Sequence, residues 1–351
     1  MYEATHKKVP PSLGIFIALL MLVAVGARGA WGESPLGLST DALVELGHQL
    51  FYDPRLSADG TIRCASCHMP EKEYTNGQRV AIGTDGRAGT RNTPSLAIIG
   101  RSGDTTFFWD GRRDTLENAV VDPFANPVEM GLQDKAELLG KLTADSSYRA
   151  AFVKSFPTTS TSITLAHVAN ALSAYIRSLD QRISAYDRYR SQQDPTAMSA
   201  QAKQGLIIFA GKGECAQCHR LEGSPAVLTD HAYHRTGVGL SAVEQDLPAL
   251  TQAVIERSLQ GADIGDRVAT HADEAQLGRF NVTRNPSDIG LFRTPSLRGV
   301  ALTAPYMHDG SVPTLDEAID REVYYRSLQA GRPLNLSVQE KQELRAFLED
   351  L

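Results

Sequence analysis

The chain has 351 residues, and its hydrophobic content of 42% is ordinary for a soluble protein and sufficient for two cores. Its formal net charge of −6 argues against a nucleic-acid partner but is compatible with docking to a basic redox protein. From the length we expect two domains.

Residues 1–30 have the pattern of an export signal. Two lysines precede an apolar stretch at residues 13–25, and small residues suited to cleavage follow it. We therefore expect a signal peptide and a mature protein in the periplasm. The uncharged run at residues 9–27 is 19 residues long, so an uncleaved inner-membrane anchor is the alternative.

Apolar spacing predicts a mainly helical protein. Residues 41–52 and 162–186 carry apolar side chains at intervals of three and four, which is the period of a helix with one buried face. Thr115 and Thr314 are predicted helix starts, the second with Glu317 at the capping-box position. Alternating apolar runs are scarce, and long stretches rich in Gly, Pro and Asp separate the helices. The predicted class is all-α with long connecting loops.

All four cysteines lie in two Cys-x-x-Cys-His motifs. In such a motif two thiols add to the vinyl groups of a haem, and the histidine becomes the proximal iron ligand. A four-cysteine zinc site would need neither histidine, and a two-residue gap suits a haem clip better than structural disulfides. We therefore predict two covalently bound haem c groups, at Cys64, Cys67 and His68 and at Cys215, Cys218 and His219.

The sixth position of each iron decides what each haem can do, because a strong ligand gives electron transfer and an open position lets peroxide bind. After His68 no histidine follows until His167, which lies in a helical pattern, so the first haem is predicted to keep an open face. Glu129 follows as a candidate acid that could move a proton of bound peroxide; an ordinary surface glutamate is the alternative.

The second haem has several candidate sixth ligands. The first group consists of methionine and histidine side chains, at Met307, His308 and the pair His231 and His234. The second group consists of residue types that ligate haem iron less often. Glu322, Tyr324 and Tyr325 lie on a predicted helix and supply such donors, although packing against the haem is the commoner use of tyrosine.

Trp109 stands before Asp110-Gly111, at the place that His308 takes before Asp309-Gly310. An indole between two redox centres can relay electrons, and a core aromatic is the alternative reading.

The two halves share one pattern of landmarks, which predicts a duplicated haem domain. The shared landmarks are Gly47 and Phe51 with Gly205 and Phe209, Thr93-Pro94-Ser95-Leu96 with Thr294-Pro295-Ser296-Leu297, Thr115-Leu116 with Thr314-Leu315, and Tyr175 with Phe347. A polar linker near residues 191–199 divides the halves, giving predicted domains at residues 36–192 and 199–351.

Three segments resemble the bacterial dihaem cytochrome c peroxidases and the related MauG-type enzymes: Phe108-Trp109-Asp110-Gly111-Arg112, Asn126-Pro127-Val128-Glu129-Met130 and Ala304-Pro305-Tyr306-Met307-His308-Asp309-Gly310-Ser311. The resemblance covers the chain from about residue 40 onwards. It implies two cytochrome c-like domains, the N-terminal one peroxidatic and the C-terminal one transferring electrons. It also implies that Glu129 is the distal acid and that Trp109 lies between the haems.

The resemblance further implies a calcium ion between the domains, held by Asn92, Thr303 and Pro305, the last two through main-chain oxygens. Oxygen ligands of this kind suit calcium.

Three positions depart from the family pattern. Thr84 stands where peroxidases carry a loop histidine that caps the N-terminal haem, so the site should be open at rest. Glu322 stands where the family has methionine or tyrosine, with Tyr324 and Tyr325 close behind. Ala119 replaces a frequent distal glutamine, a change that could slow peroxide activation or alter its specificity.

The leading interpretation is a periplasmic enzyme that reduces hydrogen peroxide at the N-terminal haem, with electrons from a small cytochrome c or cupredoxin passing through the C-terminal haem. The alternative is a MauG-like enzyme that oxidises residues of a partner protein. A non-catalytic dihaem electron-transfer cytochrome is the second alternative. The sequence leaves open the donor or protein substrate and the oligomeric state, including a homodimer.

Overall fold

The computed structural model describes residues 40–99, 103–157, 162–179, 182–262 and 264–351. The export segment predicted at residues 1–30 lies outside these ranges. Within them, no helix combines the length and the apolar character that a membrane span requires.

Helices dominate the described residues, as the sequence predicts. The α-helices are α1 (Thr40–Tyr52), α2 (Cys64–Cys67), α3 (Leu116–Ala119), α4 (Asp122–Ala125), α5 (Lys135–Ala144), α6 (Ser146–Ser155), α7 (Leu165–Ser178), α8 (Ala185–Arg190), α9 (Ala200–Ala210), α10 (Leu247–Leu259), α11 (Ile264–Thr270), α12 (Ala272–Ala275), α13 (Phe280–Thr283), α14 (Leu315–Ala330) and α15 (Val338–Glu349). Short 3₁₀ turns lie at Pro54–Leu56, Pro70–Lys72, Thr84–Gly86, Cys215–Gln217, Leu240–Ala242, Glu244–Asp246, Pro286–Asp288 and Val300–Leu302. The helix-rich class is confirmed.

The helix predicted at residues 162–186 is shorter than its apolar pattern suggests. Its buried face is correct as far as Ile176, but α7 ends at Ser178 and α8 begins at Ala185. Ser184 and Asp187 form a capping box in which each side chain accepts from the backbone N–H of the other. This box starts a second helix, because it satisfies backbone donors that a continuous helix would use internally.

The predicted helix starts at Thr115 and Thr314 are confirmed. Thr115 Oγ1 accepts from the N–H of Asn118, and Thr314 Oγ1 accepts from the N–H of Glu317. Each contact satisfies one of the orphan donors at a helix N-terminus.

Two helix pairs, α1 with α7 and α9 with α15, pack at glycines in equivalent sequence positions. A Cβ atom added to Gly47 would lie 2.0 Å from the carbonyl oxygen of Ala171, and one added to Gly205 would lie 1.9 Å from that of Glu343. Only glycine permits backbones to approach this closely.

Aromatic pairs beside these crossings repeat as well. The ring centroids of Phe51 and Tyr175 are 5.1 Å apart, and those of Phe209 and Phe347 are also 5.1 Å apart. The spacing suits edge-to-face and tilted aromatic packing. Sequence landmarks shared by the two halves therefore mark equivalent packing contacts.

Buried apolar residues form two main clusters, one drawn from residues 46–179 and the other from residues 186–351. A third, smaller cluster of Val254, Leu277 and Phe280 belongs to the segment between residues 236 and 290. Strands β1 (Tyr233–Arg235) and β2 (Leu291–Arg293) pair antiparallel across the base of this segment, with His234 opposite Phe292.

Candidate active site

One continuous cavity of about 450 Å³ joins the two Cys-x-x-Cys-His motifs. Residues from both halves line it, including both predicted haem clips: Cys64, Cys67, His68, Cys215, Cys218 and His219. Trp109 also lines this cavity. The fold therefore brings together the two motifs, which are about 150 positions apart in the sequence.

Each motif histidine is held in the same way. His68 donates from Nδ1 to the carbonyl oxygen of Tyr74 at 2.8 Å, and His219 donates from Nδ1 to that of Leu228 at 3.0 Å. Both acceptor residues adopt left-handed backbone conformations, with φ of 59° at Tyr74 and 55° at Leu228. A bond at Nδ1 fixes the tautomer and leaves Nε2 as the metal-binding atom.

The two Thr-Pro-Ser-Leu landmarks support these carbonyls. Ser95 Oγ donates to the carbonyl oxygen of Glu73, and Ser296 Oγ donates to that of Val227. Glu73 and Val227 directly precede the residues that accept from the histidines. The serines thus brace the strained turns that orient the two imidazoles, which explains why this landmark occurs twice.

The donor set fits covalently attached haem. Burial lowers the pKa of His68 and of His219 to about 4, so both imidazoles are neutral and can ligate iron at neutral pH. Burial also raises the pKa of the Cys64 and Cys215 thiols to about 12. All four cysteines are free of disulfide bonds. Thiols and histidines at two places in one cavity are the groups that two haem c clips require.

Glu129 lines the cavity beside the first motif. Burial, followed by the charge of Glu129, raises the pKa of the Cys67 thiol to about 12. Glu129 Oε1 accepts from Nδ2 of Asn126 at 3.0 Å. This bond orients the carboxyl group within the cavity.

Thr84 does not line this cavity. Its N–H donates to the carbonyl oxygen of Glu129 at 2.9 Å, and its side chain is buried against Gly131. The loop that carries Thr84 therefore braces the backbone of Glu129. Of two other first-half residues, His167 stacks on Phe156 and does not line the cavity, whereas Ala119 does.

The second-half candidates divide by position. Glu322 and Tyr325 line the cavity from α14, whereas the side chain of Tyr324 is on the outer face of that helix and 58% exposed. Burial raises the pKa of Glu322, and Arg326 and His234 oppose that rise.

The histidine candidates in this half all have other partners. His308 lines the cavity, but its Nε2 lies 2.7 Å from Oε1 of Gln276 and its ring stacks on Phe292. Nδ1 of His231 is hydrogen-bonded to Oδ1 of Asp104, and Nε2 of His234 is hydrogen-bonded to Oδ2 of Asp230 at 2.7 Å. The sulfur of Cys218, Asp230 and His234 lie within 4.8 Å of one another, but Cys218 belongs to the haem clip. Met307 lines the cavity.

Trp109 is fixed by residues on both sides of the cavity. Its indole Nε1 donates to the carbonyl oxygen of Asn92 at 2.8 Å, and its own carbonyl oxygen accepts from the N–H of Arg293 at 2.8 Å. Arg293 belongs to the second half of the chain. The indole is therefore held where the two halves meet.

Asn92, Thr303 and Pro305, the residues of the predicted calcium site, all line the cavity. The Asn92 amide nitrogen donates to the carbonyl oxygens of Gln78 at 3.0 Å and Arg79 at 3.3 Å. These contacts use the nitrogen of the Asn92 amide, so Oδ1 is the atom that could ligate a hard cation such as calcium.

Sequence reasoning missed three arginines that line the cavity beside Trp109: Arg91, Arg112 and Arg293. The available signal was their position, since Arg91 precedes Asn92 and Arg112 ends the Phe108–Arg112 segment.

Comparison with known proteins agrees with this geometry. The family model described as di-haem cytochrome c peroxidase matches residues 41–195, and a model described as RoxA-like, cytochrome c-like matches residues 291–325. The cytochrome-c peroxidase IdrP1 of Denitromonas iodatirespirans is 33% identical over 363 aligned positions, which cover 97% of this chain and 92% of that protein.

The cytochrome c peroxidase Ccp of Escherichia coli K12 is 31% identical over 90% of this chain, and this chain spans 60% of the length of that protein. The crystal structure of a MauG-like protein associated with microbial copper homeostasis superposes with a TM-score of 0.70 at 33% identity. That match covers 93% of this chain and 94% of the other.

Proposed function

The chain belongs to the di-haem cytochrome c peroxidase and MauG family, and from this premise we propose that it is a periplasmic enzyme that reduces hydrogen peroxide beside His68. Electrons would come from a small cytochrome c or cupredoxin and pass by way of the His219 site. Each turnover takes two electrons and two protons and converts one hydrogen peroxide into two waters.

The placement of Glu129 carries this proposal. It lines the cavity beside the first haem clip, while the Thr84 loop that could have capped this site packs behind it. When bound, the haem supplies an iron at which peroxide can be reduced. Glu129 would take a proton from one peroxide oxygen and return it to the other, which makes water the leaving group.

Trp109 would connect the two sites. Its indole lies in the cavity that both clips share, and hydrogen bonds at the indole and at the backbone fix its position. A fixed aromatic group needs little rearrangement when an electron passes.

For the sixth position of the second haem we propose Glu322 or Tyr325, because both line the cavity from α14. Tyr324 is a weaker proposal, since its side chain is on the exposed face. We also propose domains at residues 36–192 and 199–351, and a calcium ion at Asn92, Thr303 and Pro305.

A second candidate function is a MauG-like oxidation of residues on a partner protein. Two observations favour it: Tyr325 lines the second site, and Thr84 cannot act as a histidine cap. The protein of solved structure that is 33% identical to this chain is described as MauG-like, which supports this second candidate.

The test is to add hydrogen peroxide to the purified diferric protein and follow its absorption and electron paramagnetic resonance spectra. A high-spin ferric signal that disappears on adding peroxide, followed by turnover of a reduced small cytochrome c or cupredoxin, supports the peroxidase. Reaction with peroxide but no turnover of either donor favours the partner-protein oxidation. Two low-spin haems that stay unchanged on adding peroxide would indicate the non-catalytic electron-transfer cytochrome.

A further inference from the structure

Three largely buried arginines are neighbours of Trp109 in the sequence or through its hydrogen bonds. Arg91 directly precedes the acceptor of the indole N–H, Arg112 follows Trp109 by three residues, and the backbone N–H of Arg293 donates to the Trp109 carbonyl. Their side chains are 12%, 13% and 11% exposed, and all three line the cavity. Three positive groups are therefore concentrated where the two halves meet.

The protein satisfies these guanidinium groups only in part. Arg112 Nη1 donates to Asp110 at 3.1 Å and 3.2 Å, and Nη2 of Arg293 donates to Asp104. Arg91 lies 3.9 Å from Asp110 and donates from Nη2 to the carbonyl oxygen of Ala275.

Four buried nitrogen atoms of the set have no acceptor among the described residues. They are Nε and Nη1 of Arg91, Nε of Arg112 and Nε of Arg293. Buried donors are normally paired, so unpaired ones on three neighbouring residues point to acceptors that a bound group supplies. Asp104 and Asp110 already accept from other atoms of the same arginines.

The acceptor chemistry follows from the donors. A guanidinium is a planar fork that matches the two oxygens of a carboxylate. We propose that Arg91, Arg112 and Arg293 bind propionate carboxylates of the haems held at the two clips. This inference rests on the proposed function, because it requires that both clips carry haem.

Such contacts would set both geometry and potential. A guanidinium that holds a propionate carboxylate would fix the position of that propionate within the cavity. Positive charge near a haem stabilises its reduced form, because the ferrous state carries one charge less. Removing an arginine should therefore lower the midpoint potential of the haem that it contacts.

The experiment uses the full-length holoprotein with the substitutions Arg91→Gln, Arg112→Gln and Arg293→Gln, and with the matching lysine variants. Arg149→Gln is the control, because that exposed side chain donates to the carbonyl oxygens of Thr143 and Ala144 outside the cavity. Haem content is counted by pyridine haemochrome, propionate bending modes are measured by resonance Raman, and midpoint potentials by spectroelectrochemistry.

We expect the glutamine variants to shift a propionate bending mode and to lower one midpoint potential, with the control unchanged. The lysine variants should keep most of the potential but not the Raman frequency, since lysine retains the charge and loses the fork. They also test the inference if a glutamine variant does not fold. If every variant carried two haems per chain and its Raman modes and midpoint potentials were unchanged, this inference alone would be overturned. Fewer than two haems in the unsubstituted protein would overturn the proposed function with it.

Discussion

The indole of Trp109 and the carbonyl oxygen of His308 are joined through the backbone of a single residue, Asn92. Trp109 Nε1 donates to the Asn92 oxygen at 2.8 Å, and the Asn92 N–H donates to the His308 oxygen at 2.8 Å. The residues before Trp109 and His308 both adopt left-handed backbone conformations, with φ of 66° at Phe108 and 70° at Met307. Equivalent turns from the two halves thus meet at one residue, where electrons would have to cross.

Trp109→Phe should separate electron relay from folding. The phenyl ring keeps most of the packing but loses the bond to Asn92, and it is much harder to oxidise than indole. We expect steady-state peroxide turnover with a reduced donor to fall at least about tenfold, which is about 1.4 kcal/mol of barrier. Haem content should not change.

The control for this variant is Tyr148→Phe, which removes the single hydrogen bond from a buried aromatic to Asp53 outside the cavity. It should lower stability and leave turnover unchanged. Equal turnover in Trp109→Phe and in the unsubstituted protein would exclude Trp109 from the relay.

Glu129→Gln should impair the reaction with peroxide itself. The amide keeps the size and the bond to Asn126 but cannot take and return a proton. The loss of general acid–base catalysis predicts a fall in the peroxide reaction rate by roughly 10²–10⁴-fold. Stopped-flow absorption of the diferric protein measures that rate directly, without an electron donor.

Glu45→Gln is the matched control, because Glu45 is exposed on α1, accepts from Gln49 and does not line the cavity. It should react at the normal rate. A Glu129→Gln variant as fast as this control would assign the proton transfer to another group or to water.

The sixth ligand of the second haem can be identified with three substitutions: Tyr325→Phe, Tyr324→Phe and Glu322→Gln. Tyr325 and Glu322 line the cavity and Tyr324 does not, so the low-energy ferric absorption bands should be lost in either the Tyr325 or the Glu322 variant, whichever residue is the ligand. Tyr324→Phe is the matched control on the same helix. Electron paramagnetic resonance of the three ferric proteins decides between them, and a change confined to Tyr324→Phe would contradict the placement of α14.

Residue periodicity was sufficient to predict α1 and the buried face of α7, and motif spacing was sufficient to propose two haem clips. The apolar spacing of α1 follows from a face that must be buried, and Cys-x-x-Cys-His is a local chemical unit whose spacing is visible in the sequence. The end of α7 was not predictable from periodicity, since the Ser184–Asp187 capping box competes with a pattern that continues across it.

Contacts between distant segments could not be read from the sequence. The Thr-Pro-Ser-Leu landmark was recognised as repeated. Its role depends on the hydrogen bond from Ser95 Oγ to the carbonyl oxygen of Glu73, which forms only in the folded chain. The guanidinium groups beside Trp109 were missed for the same reason, because an arginine is usually a surface residue until its burial is known. Tyr324 and Tyr325 are adjacent in sequence, and only the helix orientation separates them.

Substituting the two crossing glycines tests whether the halves are equivalent packing units. In Gly47→Ala and Gly205→Ala the new Cβ would meet a backbone carbonyl at 2.0 Å and 1.9 Å, so a helix must move. We expect each to lower the free energy of unfolding by about 1–3 kcal/mol or more, as overpacking does. Urea unfolding followed by circular dichroism measures the loss.

Gly140→Ala is the control, and it should change the free energy of unfolding in the opposite direction. Gly140 lies inside α5 and an added Cβ meets nothing within 4 Å, so alanine should stabilise the protein by about 0.5–1 kcal/mol. If Gly47→Ala or Gly205→Ala behaved like Gly140→Ala, the close approach of the paired helices would be wrong.

Asp53 should make the free energy of unfolding depend on pH in the acid range. Burial alone would raise the pKa of Asp53, but hydrogen bonds from Arg55 and Tyr148 outweigh burial and hold that pKa below its ordinary value. A carboxyl with a lowered folded-state pKa contributes its full stabilisation above the ordinary value of about 3.9, and loses it as pH falls through the folded-state pKa.

Asp53→Asn removes the charge at every pH and so isolates this contribution. Because Arg55 is mostly exposed and its pairing is screened by water, we expect the variant to be less stable by about 1 kcal/mol above pH 5. The difference from the unsubstituted protein should shrink as the pH is lowered below about 4. Urea unfolding at a series of pH values between 3 and 6 measures both. A difference that is constant across this range would mean that Asp53 has the same pKa in the folded and unfolded chains, and that its bonds to Arg55 and Tyr148 do not favour the ionised form.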